Sequence, residues 1–206
     1  SRLDKGVSAL DFGVNFKTST EKVKPNKLQY VLNRLLPNFI RIKECREVAD
    51  DFNARYDAIS KTYLYVIERK VENPLLIEVC WHPIFDFDIE TFRNVSKLYV
   101  GNHCFDFFGS EEEKDGKILS IEDVWVEEKG NYVLWRVKGR SFLRYQVRFM
   151  VGTAYEIAAG RTSIAEITSR LDGTNKTTVH HKAPASGLIL EKVEYDFERS
   201  ENLAKE

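Results

Sequence analysis

DVWVEEKGNYVLWRVKG, residues 123–139, is the stretch that decides the fold. Two apolar runs alternate with polar residues on either side of a Lys-Gly-Asn turn at 129–131, the pattern of a β-hairpin. The next stretch, SFLRYQVRFMVGTAYEIAAGR at 141–161, changes period. Leu143, Val147, Met150, Val151, Ala154, Ile157 and Ala158 form one apolar stripe at helical spacing. A hairpin running directly into a long amphipathic helix points to an α+β layout rather than alternating βα units.

Working outward, KTYLYVIER (61–69) reads as a strand with Tyr63, Tyr65 and Ile67 on one face and Leu64 and Val66 on the other. IRIKECREV (40–48), VSALDFGVNF (7–16) and GLILEKVEYDF (187–197) read as further strands, with Gly13 a candidate bulge. KLQYVLNRLL (27–36) is a predicted helix stopped by Pro37, and IETFRNVSKLYVG (89–101) another, with Gly101 as its C′ residue. IAEITSRL (164–171) is a short helix, and SEEEKDGK (110–117) a polar loop. The expected architecture is α+β: a mixed or antiparallel sheet with helices on one face.

The chain has 206 residues, enough for one large domain or two small lobes. No apolar run reaches the ~20 residues of a membrane span, and no stretch reads as a secretory leader. Cys45, Cys80 and Cys104 are odd in number and widely spaced, which fits a reducing compartment: the cytoplasm, or the nucleus or an organelle in a eukaryote. His180 and His181 are adjacent and His82 and His103 lack companions at ligand spacing, so no metal is expected. Net charge is −1, but Lys138, Arg140, Arg144 and Arg148 fall in a stretch without acids while Glu111, Glu112, Glu113, Glu127 and Glu128 cluster elsewhere. Such segregation creates a local attractive field for an anion.

The tripeptide Asp4-Lys5-Gly6 reads as a turn, with Asp4 an ordinary turn residue on this evidence alone. Five stretches together carry more. SRLDKGVSA resembles the R-T-D-x-G-V-H-A motif of the tRNA pseudouridine synthases of the TruA family. FNARYDAISKTYLY is similar to that family's F-x-A-R-x-x-A-x-x-K/R-x-Y-x-Y segment, and GNHCFDFF to its G-x-H-D-F-x-x-F stretch. SFLRYQVRFMVG resembles F-L-x-x-M-V-R-x-I-V-G, and APASGLIL resembles A-P-A-x-G-L-x-L. They occur in the family's order from residue 1 to about residue 197.

The resemblance implies a cofactor-free, metal-free isomerase that turns a tRNA uridine into pseudouridine, in the anticodon arm, acting as a homodimer. It implies the pseudouridine synthase fold, two ferredoxin-like halves. Residues 1–70 would be the remainder of the first half, lacking its leading strand and helix, and 71–206 the second. Asp4 matches the catalytic aspartate, which must be ionised to attack C1′ or take a proton from C2′. Arg148 matches its cationic partner, although by spacing alone it lies off the apolar stripe and reads as a solvated helix position. Tyr63 matches the tyrosine stacked on the target base, its phenol a candidate aid in removing the C5 proton; by alternation alone it is sheet packing. Leu188 matches an apolar wall of the base pocket, and Arg2 the residue that helps extrude the nucleotide. Arg140 and Arg144 recur at four-residue spacing with Arg148, one above another on a helix, and read as phosphate contacts or generic surface charge. Arg55 matches the F-x-A-R arginine, RNA-facing or structural. Leu3, Ser8 and Cys104 depart from the usual threonine, histidine and aspartate. Two other readings stand beside this one: an RNA-binding module of the same fold without catalysis, and a pseudouridine synthase acting on another RNA.

Overall fold

The computed structural model describes residues 2–18, 23–70, 73–110, 116 and 118–197. They fall into two compact units, one of Ser1–Phe12 with Ala58–Glu194 and one of Gly13–Asp57 with Tyr195–Glu206.

The larger unit is α+β and is built on the hairpin. Strand β4 (Ile118–Lys129) and β5 (Tyr132–Gly139) pair antiparallel through Lys129 and Tyr132, leaving a two-residue loop at 130 and 131. β5 alternates strictly between buried and half-buried positions, as a strand covered on one face should. β2 (Ala58–Glu68) lies antiparallel on its other side, with Tyr63 opposite Val137 and Tyr65 opposite Trp135. β6 (Leu188–Tyr195) follows β2, and β1 (Ser8–Ala9) pairs parallel with it at Ile189 and Leu190. β3 (Gly101–Cys104) closes the far edge, giving a mixed sheet in the order β1-β6-β2-β5-β4-β3.

α2 (Ile89–Lys97) packs on β4 and on α3 (Gln146–Ala158). Trp135, fully buried, donates its indole N–H to Ser96 Oγ of α2, and Tyr99 donates its hydroxyl to the Met150 carbonyl of α3. Both polar tips are thereby satisfied inside an apolar layer. The opposite face carries charge: Arg136 reaches Glu191 and Glu127, and Lys138 reaches Glu194 and Glu122. α4 (Ala165–Leu171) follows α3 and anchors through buried Ile167 and Arg170. Among the described residues no helix is long and apolar enough to cross a membrane.

Three expectations are corrected. Residues 40–48 form no strand: in the smaller unit Gln29 and Asn33 side chains bond the backbone of Ile42 and Lys43 instead of a ladder. The strand expected over 7–16 is only Ser8–Ala9, with Leu10, Phe12, Val14 and Phe16 exposed. Helix α2 ends at Lys97, and Gly101 opens β3 rather than closing a helix. The predicted helix over 27–36 is α1 (Pro25–Leu35), in the smaller unit. Most of the acidic loop, residues 111–115 and 117, lies outside the described residues.

Candidate active site

β1 is two residues long, yet it decides where the turn before it sits. Its parallel pairing with β6 ties residues 8 and 9 to the end of the sheet. The chain before it turns through Asp4 and Gly6, with Val7 N–H donating to the Asp4 carbonyl at 3.1 Å. Gly6 adopts φ 86, a backbone state that a side chain would strain. The tight turn projects Asp4 from a fixed point.

Arg148 arrives from the first turn and a half of α3. Its Nη1 donates to Asp4 Oδ2 at 3.2 Å, and its Nε donates to the Ala183 carbonyl at 2.8 Å. The two side chains are 12% and 19% exposed, so their attraction is far less screened than that of a surface pair. Ala183 N–H in turn donates to the Arg148 carbonyl. Gly152 allows this closeness, because a Cβ there would lie 2.0 Å from the His181 carbonyl oxygen. Thus a glycine one turn along α3 lets the 181–183 segment lie on the helix and hold Arg148.

Tyr63 stands on β2, 8% exposed, its ring edge-on to Phe142 at 5.2 Å. Burial, and secondarily the negative charge of Asp4, push its phenol up to about 12. Burial likewise raises Tyr65, with the Arg148 charge opposing, and the Tyr65 hydroxyl donates to the Pro184 carbonyl at 2.7 Å. Leu188, buried, opens β6 immediately beyond this segment and donates its N–H to the Ala185 carbonyl. The structure therefore brings Asp4 against Arg148 and puts Tyr63 within reach of the Asp4 charge, with Leu188 on the strand that neighbours β2.

A family model described as tRNA pseudouridine synthase matches residues 95–196. A protein named tRNA pseudouridine synthase A from Thermoanaerobacter sp. (strain X514) is 34% identical over 197 residues, 95% of this chain and 80% of its own length. One of the same name from Aquifex aeolicus (strain VF5) is 36% identical over 193 residues, 93% of this chain and 79% of its own length. The chain belongs to the tRNA pseudouridine synthase family.

The other arginines of this tRNA pseudouridine synthase family member are placed less tightly. Arg2 is exposed, two residues before Asp4. Arg140 and Arg144 are exposed, but they do not stack over Arg148 on a helix: α3 begins only at Gln146. Leu143 N–H is taken by the Gln146 side chain, and Tyr145 adopts φ 68, so the chain bends into the helix where a longer helix was expected. Arg55 belongs to the smaller unit, exposed and over the Tyr56 ring at 5.0 Å. Two contributors escaped the motif reading. The Ala183 carbonyl is backbone and carries no side-chain signal. Tyr145 lies inside the V-R helix motif, and its ring sits 5.5 Å from the Arg148 guanidinium.

Proposed function

We propose that this chain isomerises uridine to pseudouridine in tRNA, with Asp4 acting on the ribose. In that reaction the N1–C1′ bond breaks, the uracil turns, and a C5–C1′ bond forms. The C5 proton leaves and N1 regains one, so substrate and product have the same atoms. The observation that carries the reading is the half-buried contact of Arg148 with Asp4, two residues 144 apart in sequence. The guanidinium pairs with the carboxylate that either chemical role requires and fixes its position. Tyr63 offers a flat ring to an unstacked uracil, Leu188 an apolar wall, and Arg2 a cation to fill the vacancy in the RNA stack. Arg140, Arg144 and Arg55 supply phosphate contacts.

The uridines served lie in the anticodon arm, two copies of the chain share one tRNA, and the work takes place in the cytoplasm. Names of relatives containing tRNA support the substrate class. Sedimentation with and without tRNA reads the stoichiometry, and one copy per complex would reject the paired arrangement.

Tritium released from tRNA labelled at uracil C5 measures the reaction directly. The expected outcome is release by the wild-type protein and, for Asp4→Asn, loss of at least about 1000-fold in turnover with tRNA binding held within a few fold. An active Asp4→Asn variant would place the reacting carboxylate elsewhere.

A further inference from the structure

Three cations crowd one aromatic ring at the entrance to α3. The Tyr145 centroid lies 4.8 Å from the Arg144 guanidinium carbon, 5.5 Å from that of Arg148 and 4.4 Å from Lys182 Nζ. A ring face attracts each cation singly, but the three repel one another. Asp4 answers the charge of Arg148. Among the described residues no carboxylate lies within ion-pair distance of Lys182, whose side chain is exposed.

Tyr145 is also the single non-glycine residue at positive φ among the described residues. An L side chain is disfavoured there, and such strain persists only where the surroundings impose it. Here the strained backbone holds the ring within reach of all three cations. α3 begins at the following residue and receives no side-chain cap from Tyr145, so the positive end of the helix dipole adds to the same field. The group that satisfies such a place is a singly charged anion with several acceptor oxygens. An RNA strand presents one on each side of every nucleotide.

We propose that Lys182, held over the Tyr145 ring, seats a backbone phosphodiester of the RNA beside the nucleotide that faces Asp4. The inference rests on the tRNA reading above and adds Lys182 to it. Lys182 is a binding residue: it holds the RNA backbone beside the site and touches no reacting atom.

The test measures binding of an unmodified tRNA transcript across a KCl series for the wild-type protein, Lys182→Gln, Lys182→Arg and Lys129→Gln, with tritium release followed in parallel. Lys182→Gln is expected to bind about 5- to 10-fold more weakly, with a slope of log affinity against log salt shallower by about one. Its KM rises by a similar factor while kcat stays within about twofold. Lys182→Arg restores both, and Lys129→Gln, whose ammonium faces Glu127, matches the wild type. An unchanged slope in Lys182→Gln, or an equal change in Lys129→Gln, overturns the phosphate seat. The slope is read from binding alone, so a wild-type protein that binds tRNA without releasing tritium would reject the isomerase reading and still decide this one.

Discussion

Tyr63 shows how one side chain can carry two readings until its surroundings are known. Alternation along its strand makes it packing, and the packing is real: it is buried and edge-on to Phe142. The same burial, joined by the Asp4 charge, holds its phenol near 12, so the hydroxyl stays protonated at neutral pH. A neutral phenol is a poor proton acceptor, which leaves the flat ring as its main contribution. Tyr63→Phe should therefore retain most turnover, within about tenfold, whereas Tyr63→Leu should lose about 100-fold or more in the tritium assay. Equal losses would assign the role to the hydroxyl. Asp4 and Arg148 are likewise unremarked by local pattern, one a turn residue and the other an off-stripe helix position. Their partnership is a tertiary fact, legible in the sequence only because the motifs around both resemble those of one family.

Elements with strong periodicity were legible from residues alone: the hairpin, β2, β6 and the main body of α3 all lie where alternation or helical spacing puts them. What pattern could not supply was competition from side chains. Asn33 and Gln29 take the backbone groups of residues 42 and 43 that a strand would have used, and Gln146 caps the turn that shortens α3. The polar face of the sheet has its own signature. Lys192, Ser60 and Lys138 all bond the Glu194 carboxylate and hold it at about 2, below its ordinary 4.5. A depressed carboxylate contributes stability that is fully present above about 4.5 and is lost as pH falls toward about 2. Thermal unfolding followed through that window should show the wild-type protein losing stability more steeply than Glu194→Gln. Parallel curves for the two would mean that this cluster contributes nothing to the acid response.

At the scale of the whole molecule the two units differ in kind. The larger has a layered core with Trp135, Tyr65, Tyr99, Phe92 and Met150 fully buried. In the smaller, none of the residues of α1 is buried, and Tyr30, Leu35 and Phe39 are exposed. A helix of this length without a buried face is marginal in water. Hydrogen exchange should find α1 amides nearly unprotected while those of β2 and β5 persist to the limit set by global unfolding; comparable protection in α1 would contradict this. The pairing of β1 with β6 has a consequence for how the protein comes into being. On a ribosome, Asp4 emerges long before the strand that seats it, and it waits with no docked neighbour until that strand follows. Until residues 188–190 have cleared the exit tunnel the carboxylate has no fixed address, so a stalled nascent chain should release no tritium from tRNA however well its earlier portions have folded.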